Sequence, residues 1–459
     1  MALQVSVLQT PELGDRSYLV GDGRMAAAID PQRDIDRVLD ILGVRGWTLG
    51  LVLETHLHND YVTGGLELAM RTGARYVVAG GEEATYDCTP AREGDRHRLG
   101  ELEFQVVGTP GHTVGHAAYV LADGHRERAV FTGGSMLFGT VGRTDLVSPE
   151  LTDSLSRRQH ASVRRLAREL GGEVEVHPTH GFGSFCASTP GSGSASSTID
   201  QEARLNLACQ IDDEDRFVEV LRAGLGAYPA YYSHMGLLNR AGPAPLDLSP
   251  SPSVEPALVR SRAAAGEWVV DLRPRREYAA RHLPGSIGVE LSPDYFTTYL
   301  GWVLPWGMPI TLMGESREEV RRAQRQLARI GIDRPAGEAV APEVLDASSS
   351  SYPVADFAEL ARLIRSGHRP DLVDVRSPEE WAGRRIPGAI NLPLGDLQSR
   401  EGSLPAGPLW VHCQAGYRAS IGASLLARSG HQVVLVDDDF SSAERVGIAT
   451  GPEALPQRL

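Results

Sequence analysis

The chain has 459 residues, 42% of them hydrophobic, and a formal net charge of −14 at neutral pH. That length exceeds a single core and predicts about three domains, and the acidic balance argues against nucleic acid and anionic membranes as partners. All 45 basic residues are arginine, which excludes Schiff-base and P-loop chemistry, since both need a lysine.

No apolar run approaches the ~20 residues of a membrane span, and Met1-Ala2-Leu3-Gln4 lacks a basic segment followed by an apolar one. A cytoplasmic protein is expected. The four cysteines, Cys88, Cys186, Cys209 and Cys413, are scattered without CxxC spacing, which fits a reducing compartment.

In chain order, the first informative element is Leu51-Val52-Leu53-Glu54, an aliphatic run that reads as a buried strand. Thr55-His56-Leu57-His58-Asn59-Asp60-Tyr61-Val62-Thr63-Gly64-Gly65 follows it, placing two imidazoles and a carboxylate on the loop at the strand's carboxyl end. Similar runs precede His112 (Phe104 to Gly111), Gly134 (Ala129 to Gly133) and His180 (Val174 to Thr179). Strand ends gathered on one edge of a sheet can converge on one cation.

The phrases THLHNDYVTGG, GTPGHTVGH, FTGGSMLFGTVGRTDL and PTHGFGSFC resemble the metallo-β-lactamase superfamily, and within it the persulfide dioxygenases fused to rhodaneses. The resemblance covers residues 1–240 and implies an α/β fold, an αββα sandwich. It also implies a mononuclear Fe(II) cofactor, with Zn(II) or no metal as alternatives. Two positions depart from the pattern: Tyr61 stands where the family signature has its last His, and Gly134 where it has an Asp. The iron ligands that the resemblance implies are thereby reduced to His56 and His112, and the second metal position of the hydrolytic relatives is left with Asp60 and His180. The surviving set is His56, His58 and His112, three imidazoles able to hold one divalent ion; Asp60 and His180 rank behind them. His180→Ala is then expected to change metal content little, and Gly134→Asp to improve iron retention where the new side chain fits. Arg143 would pair an anionic thiol substrate or, equally, form an ion pair with Asp145.

Pro/Ser-rich stretches at 241–252 and 346–351 read as linkers, and the Ser-rich stretch 188–197 as a pocket-rim loop. They delimit a domain at 250–345 and another at 352–459. The two carry an ungapped repeat: Asp271, Arg273, Glu277, Pro284, Gly285 and Ile287 recur as Asp374, Arg376, Glu380, Pro387, Gly388 and Ile390, each shifted by 103 (374 − 271). Both copies read as a buried strand (Trp268 to Leu272; Leu372 to Val375), an acidic turn and a PG bend.

The second copy continues through Leu409-Trp410-Val411-His412-Cys413-Gln414-Ala415-Gly416-Tyr417-Arg418-Ala419-Ser420. This strand, loop and helix start resembles the CxxGxR[ST] site of rhodaneses, departing at Ala419. Cys413 is the expected nucleophile, Gln414, Ala415, Gly416 and Tyr417 supply loop N–H groups around the sulfur, and Arg418 closes the loop and offsets charge. In the first copy Gly314 falls opposite Cys413, so that copy has no thiol and is expected to be non-catalytic. The whole resembles a persulfide dioxygenase–sulfurtransferase fusion: a low-molecular-weight thiol persulfide oxidised to sulfite, with sulfur moved through a Cys persulfide and sulfite or thiosulfate as partners, in a homo-oligomer. Two rivals keep the rhodanese and make the first domain a glyoxalase II-like thioester hydrolase or a metal-free persulfide-binding platform.

Overall fold

The computed structural model describes residues 3–124, 126–189 and 191–451. It forms two compact units: residues 3–247 together with Leu327–Asp333, and 248–326 together with the chain from 334 onward. Among the described residues no helix is long and apolar enough to cross a membrane.

In the first unit, two six-stranded sheets lie face to face. One runs Gln4–Thr10, Asp15–Gly21, Met25–Ile29, Thr48–Glu54, Arg75–Ala79, Thr89–Ala91 in spatial order; the other runs Ser197–Thr198, Glu175–Pro178, Arg126–Gly133, Ala117–Asp123, Leu102–Gly108, Arg96–Leu99. The central strands, such as Thr48–Glu54 and Ala117–Asp123, are buried on both faces because each face meets a different layer. Leu51 and Leu53 join Tyr18, Phe104, Tyr119 and Phe131 between the sheets. Val52, pointing the other way, packs with Val38, Leu42 and Leu68 of helices Asp36–Arg45 and Gly65–Thr72. The outer face of the second sheet is covered likewise by Val163 and Leu166 of helix Thr152–Glu169 and by Phe217 and Leu221 of Glu214–Ala223. Each such side chain, fully buried, stabilises by about 1.5–3 kcal/mol. The result is the expected αββα sandwich.

The first unit has one departure from the expected boundaries. Residues 327–333 belong to it although the sequence pattern assigns them to the next domain. Arg329 is the anchor: its guanidinium pairs with Glu12 and, at 2.6 Å, with Asp34, while its carbonyl accepts from Val62 N–H.

The second unit holds two parallel sheets, in the orders Ile287–Gly288, Trp268–Asp271, Ile310–Gly314, Gly337–Val340 and Val354–Ala355, Val433–Val436, Leu409–His412, Asp371–Asp374, Ile390–Asn391. The repeat is structural as well as sequential. Arg273 donates to Asp271 and to Arg281 O at 2.8 Å; Arg376 does the same to Asp374 and to Arg384 O at 2.7 Å. Gly285 and Gly388 both turn the PG bend at φ 82°, a left-handed conformation that favours glycine. The stretch 346–351 is not a free linker, because Ser350 pairs with His282 through the backbone. In the Ser-rich stretch, Ser188 and Ser192 are tied to the carbonyls of Val141 and Phe138; Pro190 and residues 452–459 lie outside the described residues.

Candidate functional site

At the end of strand Thr48–Glu54 the loop is pinned by Asp30, a non-glycine residue at φ 48°. Its carboxylate accepts from Thr55 N–H at 2.7 Å, from Thr55 Oγ1 at 2.8 Å and from Thr179 Oγ1. Strain of this kind persists only where surrounding bonds over-determine it.

Five buried imidazoles gather there: His56, His58, His112, His180 and His116, the last stacked on His56 at 4.9 Å. His56 lies 4.1 Å, 4.8 Å and 5.3 Å, centroid to centroid, from His58, His112 and His180. One nitrogen each of His56, His58 and His112 is held from outside the cluster, leaving the other turned inward. His112 Nδ1 contacts Arg143 O at 2.7 Å, His56 Nδ1 contacts Thr55 Oγ1 at 2.9 Å, and His58 Nε2 contacts Tyr61 OH at 2.9 Å. His58 Nδ1 and His112 Nε2 are then buried with no hydrogen-bond partner among the described residues. Unpaired buried nitrogens are costly, and rings oriented by outer partners are how proteins present imidazole to a metal. The donor set therefore fits a cation.

Protonation divides the rings. Burial, reinforced by the neighbouring imidazoles, pulls His56 well down and His112 down to about 3, so both are neutral and able to ligate. Burial also disfavours the charged form of His58, but Asp30 and Glu54 outweigh it and push His58 up to about 9. His180 is raised for the same reason: its Nδ1 sits 2.9 Å from Asp15 and 3.1 Å from Asp60. Burial and the Asp60 charge lift Asp15 to about 8, whereas His180 holds Asp60 below the usual carboxylate range despite its burial.

The arrangement reverses the ranking drawn from the sequence. His180 Nε2 stands 3.3 Å from His56 Nε2. Nitrogens of His56, His58 and His180 lie within 4.8 Å of one another, as do ligand atoms of His112, His180 and Cys186, and of Asp15, Asp60 and His180. Asp30, Glu54 and His58 form a fourth such group, and His180 belongs to the other three, which places it centrally.

Both departures from the family pattern have physical occupants. Tyr61 stacks on His58 at 4.2 Å and hydrogen-bonds its Nε2, so a neutral phenol replaces a ligand and locks the neighbouring ring. Gly134 has no room for a side chain: a Cβ there would lie 2.2 Å from His112 Cδ2. Gly134 N–H instead donates to His116 Nε2 at 3.0 Å. Gly134→Asp is thus expected to lower stability by about 1–3 kcal/mol through overpacking without raising metal content. Denaturant unfolding and metal analysis check this; more metal at unchanged stability would show that the His112 ring yields.

Arg143 is committed to the fold. Its guanidinium, 3% exposed, makes a two-pronged pair with Asp145 at 2.7 and 2.8 Å and donates to Phe185 O and Gly226 O. Of the two roles weighed for it, the geometry favours the structural ion pair over substrate binding.

In the second unit, strand Leu409–His412 ends at buried Cys413, and helix Tyr417–Arg428 begins four residues later behind Gly416 at φ 84°. Gln414 O accepts from Phe440 N–H at 2.8 Å, anchoring the loop. Arg418 makes a two-pronged pair with Glu380 at 2.6 and 2.7 Å, tying the start of the helix to helix Pro378–Gly383. In the first repeat the equivalent space is filled: a Cβ on Gly314 would meet Glu319 Oε2 at 2.8 Å, and that oxygen accepts from Glu315 N–H.

Sequence reasoning missed Tyr299. Helix Phe296–Val303 of the first repeat lays Tyr299 against Tyr417, centroids 5.9 Å apart, with Tyr295 at 5.5 Å from the same ring. Burial pushes the Tyr299 phenol up, with the Arg418 charge opposing and Cys413 adding to the rise. Tyr417 OH also donates to Glu290 O of the first repeat at 2.5 Å. The repeat without a thiol therefore walls the one that has it. Tyr295, Tyr299 and Trp302 at helical spacing were the available signal.

The Rhodanese-like domain family matches residues 356–444. A hydroxyacylglutathione hydrolase of Methylococcus capsulatus is 34% identical over 184 residues, covering 39% of this chain and 67% of that protein. The mitochondrial persulfide dioxygenase ETHE1 of Homo sapiens is 28% identical over 209 residues, covering 45% of this chain and 75% of that protein. The chain spans from 51% to 67% of the length of the first hydroxyacylglutathione hydrolases it matches. In structure, a metallo-β-lactamase from Staphylococcus aureus superposes with a TM-score of 0.66 at 24% identity, over 74% of this chain and 100% of that one, a likeness of fold.

Proposed function

Because the chain belongs to the metallo-β-lactamase superfamily and carries a rhodanese-like domain at residues 356–444, we propose that it is an enzyme of sulfane-sulfur metabolism whose sulfur carrier is Cys413. The observation that carries this reading is the placement of Cys413 at a strand end, beneath a glycine-turned loop and the start of a helix. Backbone N–H groups and the positive helix end favour the thiolate and its persulfide. The Cys413 sulfur attacks the outer sulfur of a thiol persulfide or of thiosulfate; the old S–S bond breaks and the thiolate or sulfite leaves with the electron pair. An acceptor thiolate or sulfite then attacks the outer sulfur of Cys413–S–S⁻ and restores the thiolate.

The first unit is proposed to oxidise a low-molecular-weight thiol persulfide to sulfite, with neutral His56 and His112 as the residues that would hold a single iron, joined by His58 and His180 once metal binding displaces their protons. Iron, when bound, supplies redox chemistry with O2. The chain's own contribution is to present neutral His56 and His112, orient them through Thr55 and Arg143, and surround them with buried residues that exclude water. A thioester hydrolase reading has the names of the hydroxyacylglutathione hydrolases behind it. Tyr61 and Gly134 count against it, since Tyr61 removes a donor from the second metal position and Gly134 one from the first. The full-length protein loaded with Fe(II) is expected to consume O2 and release sulfite when given glutathione persulfide. Absence of O2 uptake, with hydrolysis of a glutathione thioester by the zinc-loaded protein, would reverse the assignment.

A further inference from the structure

Position 134, where the family pattern has a carboxylate, cannot supply one without displacing His112. We propose that Cys186 is a metal ligand of this centre, its thiolate joining His112 and His180 in place of that carboxylate. The inference rests on the reading of the cluster as a metal site, though not on dioxygenase turnover.

Cys186 is fully buried, and its Sγ lies within 4.8 Å of ligand nitrogens of both His112 and His180. The second observation is independent of the cysteine. His112 Nε2, also fully buried, has no hydrogen-bond partner among the described residues. One residue sets both ligands: Arg143 N–H donates to Cys186 O at 2.8 Å, and Arg143 O contacts His112 Nδ1 at 2.7 Å. Cys186 N–H is further held by Ser184 Oγ at 3.1 Å. The burial of Arg143 and its pair with Asp145 thus position two donors on one cation.

The chemistry is consistent. Two imidazoles and a thiolate form a donor set suited to Zn(II), Fe(II) or Co(II), and the thiolate restores the negative charge lost with the carboxylate. On binding, the S–H bond breaks, the sulfur's electron pair goes to the metal, and one proton leaves to solvent. A buried cysteine with no ligand role would behave as a small apolar side chain. That account leaves His112 Nε2 unpaired.

The test uses the full-length protein, stripped with chelator and reloaded with Co(II). Wild type and Cys413→Ser are expected to show a near-ultraviolet sulfur-to-cobalt charge-transfer band at one Co(II) per chain. Cys186→Ser and Cys186→Ala are expected to lose the band and bind Co(II) at least about tenfold more weakly. Should those variants fail to fold, X-ray absorption on zinc-loaded Cys413→Ser gives the same answer: a sulfur neighbour at about 2.3 Å supports the proposal. Metal bound through nitrogen and oxygen alone would overturn the Cys186 assignment and leave the metal centre standing. No stoichiometric metal in wild type would overturn both.

Discussion

Replacing Cys413 by serine is expected to reduce thiosulfate- or persulfide-dependent sulfur transfer by roughly a thousandfold or more, the scale at which removing a covalent nucleophile acts. Serine preserves the fold around the loop, since Arg418–Glu380 and Phe440–Gln414 hold it without the sulfur. Far-ultraviolet circular dichroism should therefore be unchanged while turnover disappears. The first repeat cannot rescue the activity, because Gly314 and the Glu319 carboxylate fill its equivalent site. Wild-type turnover in Cys413→Ser, together with loss of turnover in Cys186→Ser, would move the nucleophile into the first unit.

The second large effect is expected at His180. Its imidazole lies between Asp15 and Asp60, all three fully buried. His180→Ala removes the only counter-charge within ion-pair distance of both carboxyls among the described residues, a loss that costs about 3–5 kcal/mol when a buried pair is broken. It also takes away the imidazole common to three prospective ligand groups. A large drop in unfolding free energy and a fall in metal content are expected together. His180→Ala with unchanged metal stoichiometry would return His180 to the margin that the sequence assigned to it.

Much of this architecture was legible because it is local. The Asp–Arg pairs of the two repeats span two residues, and the same bonds form in both copies. The strand-then-histidine loops were legible for the same reason, as was the absence of a thiol opposite Cys413. The centrality of His180 was not, because its partner Asp15 lies 165 positions away and its nitrogen meets His56 across 124. Gly134 reads as a lost ligand until the His112 ring is seen in the vacated volume. Residues 327–333 were misplaced because Arg329 is drawn to Asp34 across 295 positions, which no periodicity encodes. Tyr299 was missed for a related reason: its aromatic stripe is equally consistent with a core helix.

The central claim is that sulfur travels on Cys413. Full-length protein incubated with a thiol persulfide or thiosulfate, digested without reductant and mapped by mass spectrometry, should carry the mass of one added sulfur atom on the peptide containing Cys413. Added sulfur absent from that peptide and present instead on the peptide containing Cys88, Cys186 or Cys209 would contradict the account.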